Sequence, residues 1–135
     1  MEPLTVEHYL QTYGKDRRTF FEPPPNEQPA VVIRIGEHES PVRRARYDGV
    51  VGRIAALRLW GDGIGLEVIV DVTAAYDEGR APYPWFTGYA REDGGPALRR
   101  PDWVEPCGRC DWERLVRAVY DRCRVATPIA RRVTA

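Results

Sequence analysis

Ala56 to Val72 reads ALRLWGDGIGLEVIVDV, and the fold turns on how this stretch is taken. In its second half Ile64, Leu66, Val68, Val70 and Val72 alternate with Gly65, Glu67 and Asp71. A strict period of two places the branched apolar side chains on one face of a strand and the small or acidic ones on the other. Ala56 to Trp60 reads as a shorter strand, and Gly61, Asp62 and Gly63 between the two suit a tight hairpin, because glycine accepts positive φ. The same GDGIG run is not a phosphate loop: strand pattern follows it, and without a helix N-terminus no row of N–H groups faces an anion.

Upstream, Ala30 to Ile35 (AVVIRI) reads as a buried strand, and Arg43 to Ile54 (RRARYDGVVGRI) as a further strand bent or bulged at Gly49 or Gly52. Nearer the start, Val6, Tyr9, Leu10 and Tyr13 recur at helical spacing between a capping Thr5 and a terminating Gly14. Glu22 to Pro29 (EPPPNEQP) holds four prolines in eight residues, which forbid helix and favour an extended connector. Downstream, Trp112, Leu115, Val116, Val119, Tyr120 and Cys123 form the apolar side of a helix capped by Asp111, with Pro128 beyond it. The expected architecture is α+β: a small curved antiparallel sheet or partly open barrel of four to five strands, with an N-terminal and a C-terminal helix. One domain spans 1–135, divided into an N-terminal helix and arm (1–21), a proline-rich connector (22–29), and the sheet with its C-terminal helix (30–135).

At 135 residues the chain is long enough to bury a core without staples. Twenty basic residues balance twenty acidic ones, so no global field draws it to nucleic acid or to an anionic membrane. All the basic residues but Lys15 are arginine, which reads as GC-rich coding of a bacterial or phage kind rather than as many placed bidentate contacts. No apolar run approaches the roughly 20 residues that a bilayer crossing needs. An odd count of three cysteines, with no basic start and apolar run at the N-terminus, leads us to expect a cytoplasmic, reducing environment.

Chemistry concentrates in Trp103 to Val116, WVEPCGRCDWERLV. Cys107 and Cys110 have the knuckle spacing that supplies two of the four ligands of tetrahedral zinc. Cys123 cannot supply a third, because a helix carries it roughly 20 Å away at 1.5 Å per residue. WVEPCGRC resembles the active-site segment of thioredoxin-family proteins, which implies a thiolate at Cys107 favoured by a helix N-terminus and by Arg109. The likeness covers about eight residues, and the strand, hairpin and helix that follow the motif in that family do not fit in what remains of this chain. PCGRC is also similar to the second zinc motif of nucleoside deaminases, which implies an upstream ligand with a glutamate two residues on. Here Glu39 directly follows His38, and Leu10 stands two after His8, so the proton shuttle is missing. In the plainest reading the pair shapes a turn and Cys123 packs inside.

No catalytic set emerges elsewhere. Ser40, the only serine, lies two residues from His38 with Glu39 between, but adjacency leaves no third group to orient the base. Asp77 and Glu78 fall in a polar turn. Two features suit binding. Arg44 and Arg46 share a strand face in this reading, with Arg43 opposite and Arg58 on a neighbouring strand, while Tyr83, Trp85, Phe86 and Tyr89 form an aromatic run. The expected function is a non-enzymatic binding or regulatory module that contacts a protein or nucleic-acid partner through Arg44, Arg46, Arg58, Tyr83, Trp85, Phe86 and Tyr89, with no cofactor. The alternative is a zinc or thiol-redox protein centred on Cys107 and Cys110.

Overall fold

A computed structural model describes residues 4–13, 20–36, 40–60, 65–91, 100–108 and 110–123. Within them, helices α1 (Val6–Tyr13), α2 (Pro41–Tyr47), α3 (Thr73–Asp77) and α4 (Trp112–Cys123) accompany strands β1 (Phe20–Phe21), β2 (Ala30–Ile33), β3 (Val51–Trp60), β4 (Gly65–Asp71), β5 (Trp85–Arg91) and β6 (Val104–Pro106). The strands form one open antiparallel sheet in the order β5-β4-β3-β2-β6. β3 takes β4 along one side; along the other it takes β2 at its start and β1 at its end. The architecture is the expected α+β type, with six strands rather than four to five because the two-residue β1 and three-residue β6 also pair.

The opening stretch behaves as its alternation dictates. Leu66, Val68, Val70 and Val72 are essentially sealed from solvent. Trp60 pairs with Gly65 across the hairpin, whose tip at 61–64, Ile64 included, lies outside the described residues. Two sequence segments that read as separate strands form one. The register shifts between Ile54 and Ala56, so Ala55 is the bulged residue. An extra residue there lets Ile54, Leu57 and Leu59 all face the same core, which uninterrupted alternation would forbid. Gly52 is not the bulge: a Cβ there would lie 2.5 Å from the carbonyl oxygen of Asp71, so its glycine permits the close approach of β3 to β4.

Both faces of the sheet are covered. On one, Trp112, Val116, Val119 and Tyr120 of α4 and Tyr47 of α2 join Val31, Ile33, Leu57, Val68 and Phe86. On the other, Val6 and Leu10 of α1 pack with Phe20 on Ala55, Ala56 and Ile69. Each fully buried large apolar side chain contributes about 1.5–3 kcal/mol. The helices start as their caps direct: the Thr5 hydroxyl accepts the His8 N–H at 3.0 Å, and the Asp111 carboxylate accepts the Arg114 N–H at 3.1 Å. Gly14 lies outside the described residues.

Arg43 to Tyr47 departs from the strand reading. These residues belong to α2, whose first residue is Pro41. Proline at that position is pre-organised for a helix, and arginine and alanine are good helix formers. The helix ends at Asp48, and Gly49 (φ +79°) turns the chain into β3. Three bonds hold this turn to the end of β2 and the residues after it: Gly49 N–H to the Ile33 carbonyl at 2.7 Å, Ile33 N–H to the Val50 carbonyl at 2.9 Å, and Ile35 N–H to the Asp48 carboxylate at 3.0 Å. The proline-rich stretch 22–29 bridges β1 and β2. Pro24 holds the extended geometry expected of it (φ −55°, ψ 149°), and a single 3-10 turn, Pro25–Glu27, follows. Pro23 is buried.

The two margins of the sheet are occupied by side chains and local bonds. At β6, the Val104 N–H donates to the Pro101 carbonyl at 3.0 Å, the Val104 carbonyl accepts from the Arg100 guanidinium, and Pro106 has no N–H. At β5, the carbonyls of Thr87 and Tyr89 accept from the side chains of Arg43 and Trp103.

Candidate binding surface and thiol groove

The expected arginine and aromatic residues do not gather on one surface. Arg44 and Arg46 lie on α2, on the side of the sheet that carries α4. Arg58 is on the opposite face, bound to its cross-strand partner Glu67 at 2.5 Å, with both side chains largely buried. Trp85 stacks on Tyr9 of α1 at 4.5 Å and on Tyr83 at 5.3 Å. Phe86 points the other way and is 4 % exposed. Strand alternation separates Trp85 and Tyr89 from Phe86, and the helical course of α2 removes Arg44 and Arg46 from the sheet face assumed for them.

A different set assembles along the β5 margin. Arg43, which strand spacing had set apart, reaches over Phe86 with its guanidinium carbon 4.5 Å from the ring centroid, and its Nη2 donates to the Thr87 carbonyl at 2.8 Å. Trp103 tilts against Phe86 at 5.3 Å and donates its indole N–H to the Tyr89 carbonyl at 3.1 Å. Gly88 makes this possible, since a Cβ there would lie 2.6 Å from the indole. Around these residues runs a groove of about 800 Å³, which also takes in Arg34, Asp102 and Tyr89. Tyr89 is 56 % exposed. Arg34 pairs with Glu105 at 2.7 Å, both half exposed. Beneath, Tyr47 contacts Phe86 at 4.7 Å; burial pushes its hydroxyl above the ordinary phenol range, and Arg43 beside it pulls in the opposite direction. The sequence held one pointer to this groove, a glycine inside an aromatic strand, which marks a close approach.

Cys107 and Cys110 line a second groove, of about 590 Å³, between the proline-rich stretch and the start of α4. The Cys107 N–H donates to the Ala30 carbonyl at 2.9 Å, which fixes the end of β6 to β2. Cys107 is exposed and Cys110 half-buried, and both are free thiols. Burial raises the Cys110 thiol above its ordinary range, Arg100 works against the shift, and Asp111 adds to it. Among the described residues no group of three or more histidine, cysteine or acidic side chains is placed to hold a metal ion. His38, Arg109 and the Cys123 side chain lie outside the described residues. Among the described residues no helix is long and apolar enough to cross a membrane.

Compared with protein-family models, curated proteins and solved structures, the chain shows no significant match to any.

Proposed function

We propose that this protein is a small non-enzymatic binding module that docks a protein partner in the groove along the β5 margin. The carrying observation is the juxtaposition of Trp103 and Arg43 in one open groove bordered by the Tyr89 backbone carbonyl, two of the residue types most often found as interface anchors. Trp103 and Arg43 are already held by hydrogen bonds and by Phe86, so little ordering is needed on binding. Charge favours a protein over a nucleic acid: Asp102 in the groove and Glu105 beside it offset Arg34 and Arg43, leaving no net attraction for a phosphate backbone. With the Thr87 and Tyr89 carbonyls occupied, a partner engages side chains rather than extending the sheet.

A displayed peptide library selected on the immobilised full chain tests this. Selected peptides should bind Trp103→Ala and Arg43→Gln at least ~10-fold more weakly, the loss expected of anchors worth about 1.4 kcal/mol or more. Equal affinity for both variants refutes the groove. Tight binding of single-stranded oligonucleotides that weakens steeply with salt refutes a protein partner in favour of nucleic acid.

A further inference from the structure

The β5 groove holds two ionic groups that the fold leaves unmatched. Arg34 is paired with Glu105, whereas among the described residues neither Arg43 nor Asp102, which share the groove, meets an opposite charge. Arg43 is nonetheless held in place: its guanidinium lies over the Phe86 ring and uses one of its five N–H donors on the Thr87 carbonyl. A planar guanidinium fixed in this way presents its remaining donors to a carboxylate without first losing much rotamer freedom. The apolar surface beside it is Trp103, half-buried, which tilts against the same Phe86 ring at 5.3 Å and lies over Gly88. Arg43 is tied to the Thr87 carbonyl and Trp103 to that of Tyr89, so their anchoring points stand about 6.8 Å apart along the strand, two residues at about 3.4 Å each.

We infer that the partner docked here is an amphipathic helix carrying a carboxylate side chain four residues from a bulky apolar one, the first seated on Arg43 and the second on Trp103. This rests on the groove being a docking site for a protein. Residues i and i+4 of a helix share a face and lie about 6 Å apart along its axis, close to the separation of the two anchors. An extended segment with side chains two residues apart has a similar reach, but the Thr87 and Tyr89 carbonyls that a neighbouring strand would bond are taken. A helix closes its own backbone bonds and needs none from β5. Asp102, next in sequence to Trp103 and also in the groove, opposes a helix face that is acidic throughout. It therefore confines the carboxylate to the Arg43 position and favours a basic residue beside the apolar one.

The probes are peptides from the displayed library that bind the full chain and lose affinity for Trp103→Ala, measured by fluorescence anisotropy. Each should carry an acidic residue four positions from an aromatic or large aliphatic one. Replacing that acid with lysine should weaken binding at least ~10-fold, because like charges then face each other at Arg43, and the lysine peptide should bind Arg43→Glu more tightly than it binds wild type. On Arg43→Gln, which removes the charge, the acidic peptide and its amide counterpart should bind alike. A proline placed between the acidic and apolar residues should abolish binding, since it breaks a helix. Thermal melts establish that the three variants are folded. The helix is overturned, with the groove left standing, if Trp103-dependent peptides are indifferent to their acid, tolerate the proline, space the two residues two apart, or gain nothing from Arg43→Glu when the acid is lysine. If no selected peptide depends on Trp103, groove and helix fall together.

Discussion

Gly88→Ala tests the packing that builds the β5 groove. The added Cβ would stand 2.6 and 2.8 Å from two indole carbons of Trp103, where relaxed carbon contacts lie at about 3.5–4.0 Å. The ring must retreat by about 1 Å, which stretches its 3.1 Å hydrogen bond to Tyr89 beyond bonding range. That bond is worth about 1 kcal/mol, and the tilted contact of Trp103 with Phe86 is worth about 0.5–1.5 kcal/mol. Against these, alanine restricts the unfolded chain and returns about 0.4–1 kcal/mol. The net expectation is a loss of about 0.5–2 kcal/mol, or roughly 2–8 °C in Tm for a chain of this size. Urea denaturation read by tryptophan fluorescence measures it. Gly108→Ala, with nothing near its Cβ, should stay within about 0.5 kcal/mol of wild type. A Gly88→Ala protein as stable as the parent would refute the packing described around Trp103.

Glu67→Ala removes the carboxylate paired with the largely buried Arg58 guanidinium and should cost about 1.5–3 kcal/mol in urea denaturation, the range for a hydrogen bond to a charged group. Trp112 Nε1 is buried with no acceptor among the described residues, so Trp112→Phe should cost less than about 1.5 kcal/mol while Trp112→Ala costs about 3–5 kcal/mol. Alkylation of Cys110, followed residue by residue by mass spectrometry, should show a pH midpoint above that of free cysteine, since burial favours its protonated form. By linkage, the raised thiol adds stability that is fully present below the ordinary cysteine value and fades as pH climbs through the folded one.

The parts of the fold legible in the sequence are those where one period dominates. Leu66 to Val72 and Trp112 to Tyr120 each bury the residues that their spacing selects, and Thr5 and Asp111 cap as their chemistry dictates. Misreadings fell where two signals competed. From Arg43 to Ile54 an apolar end outweighed Ser40-Pro41, although proline at the first helical position followed by arginine and alanine specifies α2. Ala55 as a bulge has no local signature; only the demand that Ile54 and Leu57 share a core reveals it. The candidate surface was less legible: Tyr89 is exposed, but the groove draws on Arg34, Arg43 and Trp103, which come from three separate parts of the chain. Spacing along a chain cannot report such meetings. For Cys107 and Cys110 the sequence did place the pair before a helix, while the facing proline wall, more than seventy residues earlier in the chain, emerged only from the pairing of β2 with β6.

Proline, arginine and tryptophan at the flanks of the sheet bear on how the protein behaves when crowded. A second molecule arriving beside β6 finds the Val104 N–H and carbonyl already engaged and no N–H at Pro106; one arriving beside β5 must first displace Arg43 and Trp103. Lateral stacking into fibrils starts from open ladders of this kind. Here both starting points are stoppered from within the same chain, and at β5 the two stoppers are also the groove's anchors, so changes made there to alter recognition would at the same time unseal a route to aggregation.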